Sequence, residues 1–160
     1  MAAEVRKINI SENCKKIAVE FETAQPTTVV IQDSDDTTVE LLPVNFTYAD
    51  GVLTFEYTHS VAFNGVLQIL PKDANEETLT PAYTVASCKI NCCIGQLLYA
   101  AIECTCKCAK CKEDLLRAEK VYLFLNAAIF EAEHNANLQQ ALNNYNKASE
   151  LCLEVCACGC

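Results

Sequence analysis

Eleven of the 12 cysteines of this chain fall in its second half, and eight of them crowd into two bursts, Cys104-Thr-Cys106-Lys-Cys108-Ala-Lys-Cys111 and Cys152-Leu-Glu-Val-Cys156-Ala-Cys158-Gly-Cys160. A core uses one or two buried thiols as small hydrophobes. Sulfurs repeated every two to four residues must instead cross-link or hold metal, chemistry that braces a fold more often than it catalyses a reaction.

At 160 residues the chain has room for one ordinary domain or two small ones, and the patterning below supports two. A net charge of −9 and a pI near 4.6 argue against a nucleic-acid surface, which needs clustered Lys and Arg to displace counterions from phosphates. The opening residues 1–10 lack the apolar core of a secretory signal. No segment approaches the roughly 20 apolar residues of a membrane span. The chain is therefore expected to be soluble and made in a cytoplasm, with neither membrane nor nucleic acid as a partner. Yet 12 cysteines in 160 residues is the density of secreted disulfide frameworks. Two resolutions are a cytosolic thiolate–metal site, or a protein assembled inside a cell and released into an oxidising exterior.

From Val5 to Leu70 the hydrophobic pattern has period two and is rich in β-branched residues. Ile17, Val19 and Phe21 alternate with Ala18, Glu20 and Glu22, the mark of a half-buried strand. Further runs follow at Thr28–Gln32, Thr38–Val44, Asn45–Tyr48, Val52–Tyr57 and Val66–Leu70. They are separated by Ser34-Asp35-Asp36, Ala49-Asp50-Gly51 and Phe63-Asn64-Gly65, of which Asp-Gly and Asn-Gly suit hairpin turns. The segment from Pro71 to Pro81 breaks the pattern and reads as a linker.

From Ser87 onward the period turns helical. Leu115, Ala118, Tyr122, Leu125, Ile129 and Ala132 are spaced by three or four and predict a helix over 112–134. Leu138, Ala141 or Leu142, Tyr145, Ala148 and Cys152 predict another over 137–155, after the polar break 134–137. Ile94, Leu97, Leu98, Ala101 and Ile102 mark an earlier helix over 89–103. Short connections make the neighbours antiparallel. The expected fold class is α+β: an N-terminal antiparallel β-sandwich in 1–71, a linker in 72–86, and a cysteine-braced antiparallel three-helix bundle in 87–160. This topology brings Cys104–Cys111 and Cys152–Cys160 to one pole. It sends Cys88, Cys92 and Cys93 to the other, on the side of the strand domain and Cys14.

Cys88-x3-Cys92, Cys104-x3-Cys108 and Cys152-x3-Cys156 each set two sulfurs one turn apart on a helical face, a spacing that suits disulfide staples between antiparallel helices. The disulfide candidates are Cys88, Cys92, Cys93, Cys104, Cys108, Cys111, Cys152, Cys156, Cys158 and Cys160. A structural zinc site would instead draw on Cys104, Cys106, Cys108, Cys111, Cys156, Cys158 and Cys160, with Cys108-x2-Cys111 as one half and the less regular Cys-x-Cys as the other. Spacing leaves disulfides and zinc level, and fits neither usual iron–sulfur pattern. The first two pairs resemble the twin Cys-x3-Cys hairpins of small mitochondrial intermembrane-space chaperones, but here 93–103 reads as helix throughout and a β domain precedes it.

Catalytic candidates fail sooner. Lys107, Lys110, Lys112 and Arg117 flank the first burst and would lower thiol pKa values, yet no Cys-x-x-Cys opens a helix after a strand as in a thioredoxin-like unit. The histidines, His59 and His134, have no recognisable partner for nucleophilic chemistry. Four isolated glycines make no phosphate loop. Asp33-Ser-Asp35-Asp36 and Glu76-Glu77 read as solvated turns, since no twelve-residue loop with a closing Glu accompanies them. Residues 138–151 are similar to half of a tetratricopeptide-type hairpin, but a single hairpin cannot form a solenoid and is read as bundle packing.

The order of parts is a small β domain, then Cys92-Cys93-Ile-Gly-Gln-Leu-Leu98, then Cys104-Thr-Cys-Lys-Cys-Ala-Lys-Cys-Lys-Glu-Asp-Leu-Leu-Arg-Ala-Glu-Lys120, and a terminal Cys158-Gly-Cys160. It resembles small cysteine-rich structural proteins encoded among the virion genes of tailed bacteriophages, chiefly over residues 88–160. That resemblance implies a virion component of the neck, tail or capsid surface, made in the host cytoplasm and then living outside it. The expected function is accordingly a non-enzymatic assembly protein, docking to other structural proteins and to copies of itself through exposed strand edges and the bundle. The rival expectation is an intracellular, cytoplasmic zinc-binding adaptor or regulator. A thiol oxidoreductase comes third.

Overall fold

The structure, a computed structural model, describes residues 6–103 and 109–156, with side chains described over 6–99 and 112–152. It divides into two compact units, the first ending at Ala86 and the second starting at Ser87. The first unit holds β1 (Arg6–Ser11), β2 (Lys16–Glu22), β3 (Thr28–Gln32), β4 (Thr38–Leu41), β5 (Thr47–Ala49), β6 (Val52–Thr58), β7 (Gly65–Lys72) and β8 (Ala82–Ala86), with a 3₁₀ turn at Pro43–Asn45. They form two four-stranded antiparallel sheets, ordered β1-β2-β6-β5 and β4-β3-β7-β8. Strict alternation sorts the side chains. Ile17, Val19 and Phe21 of β2 and Leu53 and Phe55 of β6 are buried, as are Val29 and Ile31 of β3 and Leu67 and Ile69 of β7. A slip of one residue in any of these strands would turn its apolar row into water, so the core fixes the register. The outer face of the first sheet is charged: Lys7 pairs with Glu20 at 3.3 Å, and Lys16 with Glu56 at 3.5 Å.

Turn chemistry explains most connections. Asp50 and Gly51 both take positive φ, 52° and 82°, and close the two-residue β5–β6 hairpin between Ala49 and Val52. Asn64-Gly65 makes no hairpin. It lies where the chain leaves β6 for β7 in the other sheet, with only Gly65 at positive φ, 81°. The β1–β2 turn is the strained one, because Glu12, Asn13 and Cys14 all sit in the left-handed region, at 52°, 56° and 62°. Such residues cost about 1 kcal/mol each, and neighbouring structure holds them there. The Phe63 N–H donates to the Cys14 carbonyl at 2.8 Å, the His59 N–H donates to the Lys15 carbonyl at 2.9 Å, and Cys14 is buried and disulfide-bonded.

Asp33 is no solvated turn residue. Its buried carboxylate accepts the backbone N–H groups of Asp35 (3.0 Å) and Thr37 (2.9 Å) on one oxygen and of Asn64 (2.7 Å) on the other. Ser34 Oγ donates to the Asn64 carbonyl at 3.3 Å and accepts the Val66 N–H at 3.0 Å, while Asn64 Nδ2 donates to Asp35. The β3–β4 turn is thereby fastened to the start of β7.

The segment expected as a linker, 72–86, belongs to the sandwich. Asp73 Oδ1 accepts the N–H groups of Asn75 (2.8 Å) and Glu77 (3.0 Å), the Leu79 N–H donates to the Pro71 carbonyl at 2.8 Å, and β8 then pairs along β7 from Ile69–Ala82 to Gly65–Ala86. Pro71 does not end β7. Its carbonyl faces Leu79 rather than its partner Val29, so its missing N–H removes no bond to β3.

The second unit is an antiparallel bundle of α1 (Cys88–Glu103), α2 (Ala109–Glu133) and α3 (Leu138–Cys156). Asn137 caps α3, its Oδ1 accepting the Gln140 N–H at 3.2 Å, after Ala136 turns the chain at φ 49°. On α3 the buried row is Ala141, Tyr145, Ala148 and Cys152, as the spacing predicts. On α2 the buried row is Ala118, Val121, Leu125, Ala128 and Ala132, which shifts the expected face. Leu115 and Tyr122 are exposed, and on α1 so is Leu98.

Replacing Asp33 with alanine strands three backbone donors, of which the Asn64 N–H is buried and those of Asp35 and Thr37 are partly so. Urea unfolding of Asp33→Ala is expected to show a loss of about 3 kcal/mol, against under about 1 kcal/mol for exposed Glu40→Ala.

Candidate functional site

Helix lengths set where the cysteines meet. Measured up from the α2–α3 turn, Cys152 lies fourteen residues along α3, or about 21 Å. Cys93 lies ten residues below the end of α1, and α2 rises about 36 Å, so Cys93 also comes to about 21 Å when α1 hangs from the upper pole. The two are joined by a disulfide, with Cα atoms 6.0 Å apart. This corrects the expected separation of poles. A helix of 16 residues beside one of 25 does not reach the lower end, so Cys93 stays level with Cys152.

The other candidates divide as follows. Cys88 is disulfide-bonded, whereas Cys92, expected to pair one turn from Cys88, is an exposed free thiol. The residue next to it does the bridging because Cys93, not Cys92, shares the buried row with Ile90 and Leu97. Cys104, Cys106, Cys108, Cys158 and Cys160 lie outside the described residues, as do the side chains of Cys111 and Cys156, and with them the proposed zinc ligands. Among the described residues no group of three or more His, Cys, Asp or Glu side chains is arranged to hold a metal ion. Of the histidines, His59 Nδ1 lies 3.1 Å from the Tyr57 hydroxyl, and His134 stacks on Phe130.

The feature that sequence spacing did not single out is the outer face of α2. Leu116, Leu123 and Phe130 are 57%, 66% and 53% exposed, whereas Val121 and Leu125 on the opposite side are 0% and 4%. They recur every seven residues, which drifts only about 20° around the helix per step, so they form one line of large apolar side chains pointing to water. Tyr122 and Leu115 widen it. Phe130 is held by His134, with ring centroids 4.9 Å apart and planes 12° from parallel. Beside the upper end of the line, Glu113, Leu116, Arg117 and Lys120 of α2 and Leu151 of α3 border a groove of about 300 Å³. On the same flank Lys147 of α3 sits 5.4 Å over the Phe124 ring. The sequence did carry a signal: a seven-residue repeat of Leu, Leu and Phe outside the row that the core uses. Soluble surfaces rarely keep such a line unless something covers it.

The Cys93–Cys152 bridge closes a loop of 59 residues. Reduction, or Cys93→Ser with Cys152→Ser, is expected to lower the stability of the helical unit by about 4 kcal/mol, read from chemical unfolding with and without reductant. Alkylation of the unreduced protein is expected to label Cys92 and to spare Cys93 and Cys152, located by peptide fragmentation. No family model matches the sequence, and a comparison with curated proteins finds no match, so what the chain does has to be read from its own surfaces.

Proposed function

We propose that this chain is a non-enzymatic structural protein, docking to neighbouring subunits of a larger assembly through the outer face of α2, with a bacteriophage virion as its setting. The exposed line Leu116, Leu123 and Phe130 carries this reading. Completing the burial of a half-exposed Leu or Phe is worth roughly 1 kcal/mol, so a helix bearing several has a driving force for association that a charged face lacks. The disulfide between α1 and α3 ties together the helices behind α2, which gives the face a firm backing. Strand edges suit docking less well: two of the four are short, β4 with four residues and β5 with three. A stapled bundle also fits a protein that leaves the cytoplasm for an oxidising exterior.

The test is sedimentation of the chain with a large assembly from its native source. A Leu116→Glu, Leu123→Glu variant is expected to leave the fast-sedimenting fraction, while Thr54→Lys on the outer face of the first sheet stays in it, both with unchanged circular dichroism. Retention of the α2 variant in the assembly would sink the reading.

A further inference from the structure

Resting on that reading and naming the partner it leaves open, we infer that the occupant of the α2 face is the α2 of a second copy, run antiparallel about a two-fold axis at Leu123. The geometry points there first. Leu116 and Phe130 lie seven residues on either side of Leu123, so a two-fold axis there sets Leu123 on its own copy and Leu116 on the copy's Phe130 at both ends.

Charge then selects the direction. Every cation of α2 beyond residue 111 lies before Leu123, namely Lys112, Arg117 and Lys120, interleaved with Glu113, Asp114 and Glu119. After Leu123 the helix carries Glu131 and Glu133 and neither Lys nor Arg. A parallel pair would set these acids against their own copies, with no Lys or Arg of α2 at that height. The antiparallel pair brings Glu131 level with Leu115, between Glu113 and Arg117 and about 7.5 Å along the axis from Lys120, a gap narrowed because both side chains tilt toward their own N-termini, and it brings Glu133 level with Glu113, beside Lys112. Flank agrees with height: Glu131 and Lys120 are eleven residues apart, three turns of helix, so they share a flank, and in an antiparallel pair like flanks meet.

The groove completes the fit. Its border of Glu113, Leu116, Arg117, Lys120 and Leu151 stands where the copy's Phe130 and Glu131 arrive. Phe130 is held in place by its stacking on His134, and Asn135 Nδ2 holds one oxygen of Glu131 at 3.0 Å, which leaves the other to meet a cation.

The experiment is analytical ultracentrifugation of the unreduced full chain with free thiols blocked, over a concentration series. Twice the chain mass is expected, and Leu123→Glu is expected to raise the dissociation constant roughly a hundredfold with circular dichroism unchanged. Lys120→Glu and Glu131→Lys should each weaken self-association, and an equimolar mixture of the two should recover it, because each rim pair is then again of opposite sign. A chain that stays monomeric throughout would falsify this inference, even if the Leu116→Glu, Leu123→Glu variant still left the large assembly, which would keep the docking reading. A dimer whose two charge variants fail to recover on mixing would overturn the antiparallel register.

Discussion

The bond between Cys93 and Cys152 ties the helical unit together, because it holds a short helix and a longer one at a common height on a third that outreaches both. Once α1 and α3 are fastened, the side of α2 between them must be narrow. The residues it presents are small: Ala118, Ala128 and Ala132, with Val121 and Leu125 filling the wider places. Small side chains let helices approach closely. Leu116, Leu123 and Phe130, with no room on that side, are left to the solvent.

The expected and the observed buried faces of α2 differ because of the same arrangement. The expected row of Leu115, Ala118, Tyr122, Leu125, Ile129 and Ala132 shares Ala118, Leu125 and Ala132 with the true one, and both satisfy a spacing of three and four. Periodicity identifies a helix from the presence of a stripe, but it cannot choose between two stripes on a helix that carries apolar residues on opposite sides. Size would have chosen: the alanine-rich row fits a bundle interior and the Leu-Leu-Phe row does not. On α3 and over much of the sandwich no second row competes, and the strands at 16–22, 28–32 and 52–58 were legible from alternation alone.

What alternation missed in the sandwich was hidden by residues that act through the backbone. Pro71 and the polar run after it look like a break in sequence, yet a proline whose missing N–H faces away from its ladder partner costs that ladder nothing, and Asp73 builds the turn that delivers β8. Asp33 looks solvated until it is seen to accept N–H groups from residues 35, 37 and 64. Long-range hydrogen bonding of that kind leaves no periodic trace. The cysteines behave alike: their clustering was plain from the sequence, but whether Cys92 or Cys93 bridges depends on which of two neighbours shares a face with Ile90 and Leu97, 100° of helix rotation apart by the ordinary pitch of about 3.6 residues per turn.

The two-fold contact inferred for the α2 face would constrain the form of an assembly built from this chain. Head-to-tail contacts between unlike surfaces propagate into rings or lattices, whereas a two-fold contact uses the same surface on both partners and closes at two. Reversal sets the half of α2 that carries Lys112, Arg117 and Lys120 among Glu113, Asp114 and Glu119 against the half that carries Glu131 and Glu133 alone, whereas a parallel pairing sets acids on acids. An overall charge of −9 makes that local arrangement matter more, since two such chains repel at a distance and only a contact that brings opposite charges together at its rim offsets the cost. If α2 docks on its own copy as inferred, the building block of a larger array is a pair, and growth beyond the pair falls to surfaces other than α2.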